Sequence, residues 1–189
     1  MTNIYKFDAG YEEGQRPYIE DIVVTSVLTV DNVDRDRLSR LTDGLLVGAV
    51  TLKNKGPLQI DTDYNAGQAQ LKITLVGSLS AVNRLSNQKD AAGERLFEDG
   101  HEVSTAVQIN PIHSHFASSL TGHLLGAARN HQQNDVPLHV GSEYDETGLQ
   151  LKLQFDGSIF AVSYLLLIVY LRFTQRLDRT ARDVATQTA

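Results

Sequence analysis

Polar and apolar positions alternate along much of this chain. In "QAQLKITLV", Gln68 to Val76, Ala69, Leu71, Ile73 and Leu75 share one face and Gln68, Gln70, Lys72 and Thr74 the other. That period of two predicts a half-buried strand. "HEVSTAVQIN" repeats the pattern with Val103, Thr105, Val107 and Ile109. "EDIVVTSVLTV" and "LLVGAVTLK" are β-branched runs of strand length. Two shorter strands are predicted, in "GSLSAVNRL" from Gly77 and in "PLHVGS" around residue 138.

Two stretches depart from this period and read as short helical inserts. "DNVDRDRLSRL" opens with acidic residues and spaces Val33, Leu38 and Leu41 near the helical repeat. "FASSLTGHLLGAARNHQ" sets Leu120, Leu124 and Ala127 on one stripe, with Ser118 or Ser119 as its cap.

The closing stretch "LQLKLQFDGSIFAVSYLLLIVYLRFTQR", Leu149 to Arg176, alternates at first and then turns apolar throughout. Asp156-Gly157 between two apolar segments predicts a two-residue hairpin turn, because a type I′ turn needs positive φ at both positions. Counting outward pairs Leu153 with Phe160, Leu151 with Val162 and Leu149 with Tyr164. Beyond Tyr164 both faces of the expected strand are apolar and both must be covered. The cover is a neighbouring subunit, a helix of the same chain or lipid. Leu165, Leu167, Val169 and Leu171 are the candidate subunit-contact residues. The 13 residues from Ile159 to Leu171, interrupted by Ser163, fall short of the ~20 needed for a spanning helix.

Length and composition narrow the class. The 189 residues fit one domain, with no fixed-period repeat or linker to divide them. The start, "MTNIYKFDAGYEEGQRP", has neither a basic segment nor an apolar core, so the chain is expected to be made and used without secretory export. The absence of cysteine excludes disulfides, thiolate metal sites and cysteine nucleophiles. The net charge of −6 argues against a nucleic-acid partner, which would call for a basic field. Asp outnumbers Glu 15 to 8 and Arg outnumbers Lys 11 to 6, a choice of charges that leans halophilic. In molar salt the Debye length shrinks to ~3 Å, and short, strongly hydrated carboxylates carry solubility.

Chemistry is sparse. All six histidines fall between residues 101 and 139, and His113-Ser-His115 could project two imidazoles from one face of a strand, as a cupin-type metal site begins. Such a site also needs a nearby carboxylate, and "FASSLTG" follows instead. His123, His131 and His139 continue at an interval of eight, which suits neither helix nor strand. Asp61, Asp63, Asp90, Glu94, Glu98 and Asp99 match no calcium loop. No nucleophile elbow, phosphate-binding loop, dinucleotide fingerprint or H-E-x-x-H occurs. The expectation is no enzyme activity and no cofactor. The tail carries Arg172, Arg176, Arg179 and Arg182 against Asp178 and Asp183, a basic end that reads as a solvated helix end or as one able to touch lipid headgroups or nucleic acid.

These features predict an all-β fold, a single jelly-roll or β-sandwich barrel with one or two short helical inserts. A barrel would span residues 18–175, between an arm at 1–17 and a tail at 176–189. Together with the opening "NIYKFDAGYEEG" and "EDIVVTSVLTVDNVDRDRL", the size, charge choice and strand pattern resemble the small major capsid proteins of haloarchaeal icosahedral viruses with an internal membrane, relatives of the Thermus phage capsid proteins. The resemblance implies a structural virion protein of the capsid shell. Its partners would be further copies of itself, a larger capsid paralogue and, through the tail, the underlying membrane. A phage tail or spike component and a cupin-like metal-binding barrel are the alternatives.

Overall fold

The computed structural model describes residues 5–9, 22–52, 56–90, 93–98, 101–132 and 137–187. Along the chain run β1 (Tyr5–Ala9), β2 (Ile22–Val30), α1 (Arg35–Leu52), β3 (Leu58–Asn65), β4 (Gln70–Ser78), α2 (Leu79–Ser86), β5 (Glu102–Ile109), α3 (Ser114–Gln132), β6 (Leu138–Asp145), β7 (Gln150–Ser158) and α4 (Ile159–Gln187). The strands form one open sheet in the order β1-β3-β4-β2-β5-β7-β6, every neighbouring pair antiparallel.

One face of this sheet is apolar and carries all four helices. Val24 and Leu28 of β2, Ile73 and Leu75 of β4, Val107 of β5 and Leu153 and Phe155 of β7 are buried on it. The opposite face carries Thr25, Lys72, Ser104, Lys152 and Gln154 and has no helix against it among the described residues. The all-β jelly-roll is therefore overturned: the chain is a two-layer α/β sandwich, with an open sheet instead of a closed barrel over residues 18–175. At the ends, Tyr5–Ala9 adds a strand to β3, and α4 runs on to Gln187, through most of the expected tail.

A β-α-β-β-α unit occurs twice. "PLQIDTDYNAGQAQLKITLVGSLSAV" from Pro57 and "PLHVGSEYDETGLQLKLQFDGSIFAV" from Pro137 align at an interval of 80 residues, sharing Pro, Leu, Tyr, Gln-Leu-Lys, Gly-Ser and Ala-Val. The chain thus holds one internal repeat, contrary to the expectation of none. Each copy is closed by the same bonds. Tyr64 Oη donates to the Val33 carbonyl at 2.8 Å, and Tyr144 Oη to that of Ile112 at 3.1 Å. The Val33 and Ile112 amides donate to the carbonyls of Ala69 and Leu149, both at 2.7 Å. Ala69 and Leu149 hold φ of 48° and 49°, the left-handed conformation that turns the chain between paired strands.

The repeat explains the largest departure from the sequence reading. Gly77-Ser78 and Gly157-Ser158 end a strand and start a helix. A side chain at Gly157 would lie 2.7 Å from the Pro137 carbonyl oxygen, and one at Gly77 would meet that of Pro57 in the same way. The serine then caps: Ser78 Oγ accepts from the Ala81 amide at 3.2 Å, and Ser158 Oγ from that of Ala161 at 3.3 Å. Asp156-Gly157 is thus no hairpin turn, and the expected last strand is α4. Its buried stripe is Ile159, Ala161, Val162, Leu165, Leu166 and Val169, matching Leu79, Ala81, Val82 and Leu85 of α2. The predicted strand at "GSLSAVNRL" is likewise mostly α2. "LLVGAVTLK" lies largely in α1, which buries Leu41, Leu45, Ala49 and Leu52 at helical spacing, as α3 buries Ala117, Leu120, Leu124 and Ala128. α3 begins at Ser114, ahead of the caps proposed at Ser118 or Ser119.

The copies meet at β2 and β5, where Ser26 pairs in register with Thr105, its counterpart in the repeat. Both are buried, and their hydroxyl oxygens lie 2.8 Å apart on the pseudo-two-fold axis. Thr105→Val should leave Ser26 Oγ buried without a partner and cost ~1–3 kcal/mol. Adding Ser26→Ala should recover most of that loss in urea unfolding. Asn83 and Ser163 are also counterparts, on the packed helices α2 and α4, and each buries a side-chain oxygen without a hydrogen-bond partner. Ser163→Ala should therefore raise stability by roughly 1 kcal/mol, through relieved desolvation and better helix propensity.

Candidate functional site

The H-x-H pair is not on a strand. β5 ends at Ile109, a cis Asn110–Pro111 bond follows, His113 lies just before α3 and His115 in its first turn. The two histidines line a pocket of about 400 Å³ with Phe116, Ser119, Leu120, Arg172 and Gln175. Phe116 meets Phe173 of α4 edge to face, with ring centroids 5.1 Å apart. A guanidinium stands where a metal site would need a carboxylate, and it opposes a cation electrostatically. Among the described residues no group of three His, Asp or Glu could hold a metal ion. The other histidines are dispersed: His123 Nδ1 lies 2.7 Å from the Ser119 carbonyl, the His131 ring rests 4.9 Å from that of Tyr164, and His139 is exposed on β6.

The acidic residues are spread between two places. Asp61 accepts from Gln59 Nε2 at 3.1 Å on β3, with Asp63 exposed two positions on. Asp90, Glu94 and Glu98 belong to the loop after α2, which is tied to α1. Arg37 lies 3.2 Å from Glu98, and Arg40 lies 3.9 Å from Asp90 and 3.7 Å from Glu94. A second pocket, of about 350 Å³, is lined by Asp34, Asp36, Arg37, Arg40 and Glu98. Within it Arg37 pairs with Glu98, and Asp34 caps α1 by accepting from the Arg37 amide at 2.7 Å. The Arg37–Glu98 and Arg40–Glu94 pairs, whose carboxylates are exposed, contribute ~0–1 kcal/mol each, and the cluster fastens a loop. Asp99 lies outside the described residues.

His101 sits half-buried between α1 and the loop that precedes β5. Burial pushes its pKa below the ordinary 6.5, and the Arg37 guanidinium lowers it further, against the opposing carboxylates of Glu98 and Asp31. Its ring nitrogens face donors on both sides: Arg37 Nη2 is 3.1 Å from Nε2, and the Glu98 amide is 3.2 Å from Nδ1. Protonation would point N–H groups at both. Asp145 is held below the ordinary carboxylate range by hydrogen bonds from the Thr147 hydroxyl and from the backbone of Gly148 and Thr147. That network shapes the turn between β6 and β7, as Asn65 does in the first copy by accepting from the Gly67 amide at 3.0 Å.

The most distinctive surface is apolar. Of the four candidate contact residues, Leu165 and Val169 are core, each 0% exposed, whereas Leu167 and Leu171 are 41% and 45% exposed. Tyr164, expected opposite Leu149 in a hairpin, joins them at 45%, completing an outward stripe at helical spacing. In α1, Leu46, Val47 and Val50 are 52–60% exposed on the same helical layer. That patch was hidden in the sequence by reading "LLVGAV" as strand; its helical period was the available signal. Among the described residues no helix is long and apolar enough to cross a membrane. α4 continues through Arg176, Asp178, Arg179, Arg182 and Asp183, whose side chains lie outside the described residues.

No family model matches the chain, and no curated protein matches it either.

Because the folded chain disfavours protonated His101, it binds fewer protons there than the unfolded chain as pH falls through 6.5. The associated stability should be full above that pH and decline below it. Melts at pH 7.5 and 5.5 should show a smaller acid-side drop for His101→Gln than for the parent.

Proposed function

We propose that this chain is a non-enzymatic assembly protein whose helical layer packs against other copies of itself. The observation that carries this reading is the stripe of Tyr164, Leu167 and Leu171. It lies on the outer side of a helix whose inner side is already satisfied by the core. Large apolar side chains aligned at helical spacing lose free energy in water and gain it in a contact. The patch on α1 adds area to the same layer. Among the described residues, the polar groups found together make neither a nucleophile–base pair nor a cation cradle.

A virion shell is one such assembly, and a larger capsid paralogue one such partner. The upright jelly-roll that argued for a capsid protein is not this fold, so the proposal stands on the exposed apolar residues of α4 and α1. A role in a tail or spike, or contact with a membrane surface through the end of α4, has no separate observation in its favour.

Leu167→Asp with Leu171→Asp should leave the thermal melt nearly unchanged, since both side chains are exposed, while reducing the self-associated fraction in light scattering. Leu165→Asp, which buries an unpaired charge, should cost at least ~3 kcal/mol and unfold much of the chain. A parent chain that stays monomeric at high concentration, indistinguishable from the double variant, would contradict the proposal.

A further inference from the structure

The two pockets are counterparts in the repeat. The 79 positions that separate Ser26 from Thr105 also separate α1 from α3, so that Leu41 matches Leu120, Leu45 matches Leu124 and Ala49 matches Ala128, all buried. At the same interval Asp34 matches His113, Asp36 matches His115, Arg37 matches Phe116 and Arg40 matches Ser119. Each of these residues lines one pocket or the other. The facing wall differs. In the first copy it is Glu98, from the loop between α2 and β5; in the second it is Arg172 and Gln175 of α4, which runs on where α2 has ended.

The same cavity therefore carries opposite chemistry in the two copies. The first holds charges of both signs and satisfies them internally: Arg37 lies 3.2 Å from Glu98, and Asp34 accepts from the Arg37 amide. In the second, histidines stand at the places of both aspartates, and an arginine stands on the wall where the first copy has its glutamate. The lining offers the Arg172 guanidinium, two imidazoles, the Ser119 hydroxyl and the Gln175 amide, with no carboxylate among the described residues. The guanidinium that opposes a cation there favours an anion. A neutral imidazole still carries one N–H donor, so His113 and His115 serve an acceptor-rich ligand with or without a charge of their own.

We propose that the pocket of His113, His115 and Arg172 binds the phosphate group of a small phosphate ester. Nitrogen donors approach from two sides, the start of α3 and the body of α4, and a phosphate ester presents three terminal oxygens to them where a carboxylate presents two. Arginine matches that group with a fork of parallel donors. The cavity, about 400 Å³, falls within the ~300–1,000 Å³ of small-molecule sites and has room for more than a bare ion. Phe116 and Leu120 complete its wall and offer apolar surface to the esterified part. The edge-to-face contact of Phe116 with Phe173 ties α3 to α4 beside the donors, so the two sides of the site are held in place before a ligand arrives. This reading goes beyond assembly and is independent of it, since no residue of the exposed apolar stripe lines the pocket.

The test is isothermal titration calorimetry of the full chain with phenyl phosphate, inorganic phosphate and benzoate, at an ionic strength held constant with sodium chloride. Phenyl phosphate should bind saturably and about tenfold or more tighter than either of the other two. Arg172→Gln should weaken that binding at least about tenfold, the cost of one charge-assisted hydrogen-bonding group. His113→Asp with His115→Asp, which gives the pocket the residues of the first copy, should abolish it. Both positions are exposed, and Asp34 and Asp36 occupy the same places in α1, so the thermal melt of this variant should stay close to that of the parent. No saturable binding of phenyl phosphate would overturn the proposal, as would binding that survives both sets of substitutions. Inorganic phosphate bound as tightly would overturn the ester, and benzoate bound as tightly would overturn the phosphate.

Discussion

The structure depends on one pairing, that of β2 with β5 at the centre of the sheet. Each β-α-β-β-α unit brings three strands and an apolar face, and the two become one core only because their first strands meet antiparallel. The register sets Ser26 against Thr105, with Val24 against Val107 and Leu28 against Val103 beside it. The hydroxyl pair satisfies itself at the axis, in a core that would otherwise be wholly apolar there. A slip of one residue would turn Val24 and Leu28 toward the open face and bury Thr25 and Val27 in their place. That cost makes the register, and with it the pseudo-two-fold, strongly specified.

Every helix position follows from this pairing. α2 and α4 each emerge from a Gly-Ser step at the end of the strand beside the central pair. They are led back over the sheet, capped by the serine, and packed against one another. α1 and α3 then cover the outer strands. Among the described residues, four helices cover one face and none the other. β1 finishes one edge; at the other end β6 is the last strand among the described residues. The exposed stripes of α4 and α1 lie on the outside of the helical layer, beyond the reach of the core. An assembly role is the reading these leftover surfaces support.

Much of the architecture was legible in the alternating segments. The strands at Gln70–Ser78, Glu102–Ile109 and Ile22–Val30 follow their period, because a sheet covered on one side imposes it directly. The closing segment was not legible in the same way. From Ile159 onward, Val, Ile, Tyr and Phe have strand propensity, and the alternation of Leu149 to Phe155 runs smoothly into them. Propensity differences of tenths of a kcal/mol per residue yield to the burial of an entire helical stripe, so tertiary packing decided the segment. The information was present in the wrong place: Leu79, Ala81, Val82 and Leu85 repeat the same spacing 80 residues earlier, and comparing the chain with itself exposes it. The histidine pair failed for a related reason. Spacing of two projects side chains together only on a strand, and His113 and His115 straddle the start of a helix, where Arg172 of α4 joins them.

The most direct test of this account is an NMR assignment of the backbone from Ser158 to Thr174, together with cross-strand proton contacts between β2 and β5. The duplicated sandwich requires helical carbon shifts from Ile159 onward and contacts linking Ser26 to Thr105 and Val24 to Val107. Extended shifts continuing past Tyr164, with contacts pairing Leu153 to Phe160 and Leu151 to Val162, would contradict it and restore the closing hairpin.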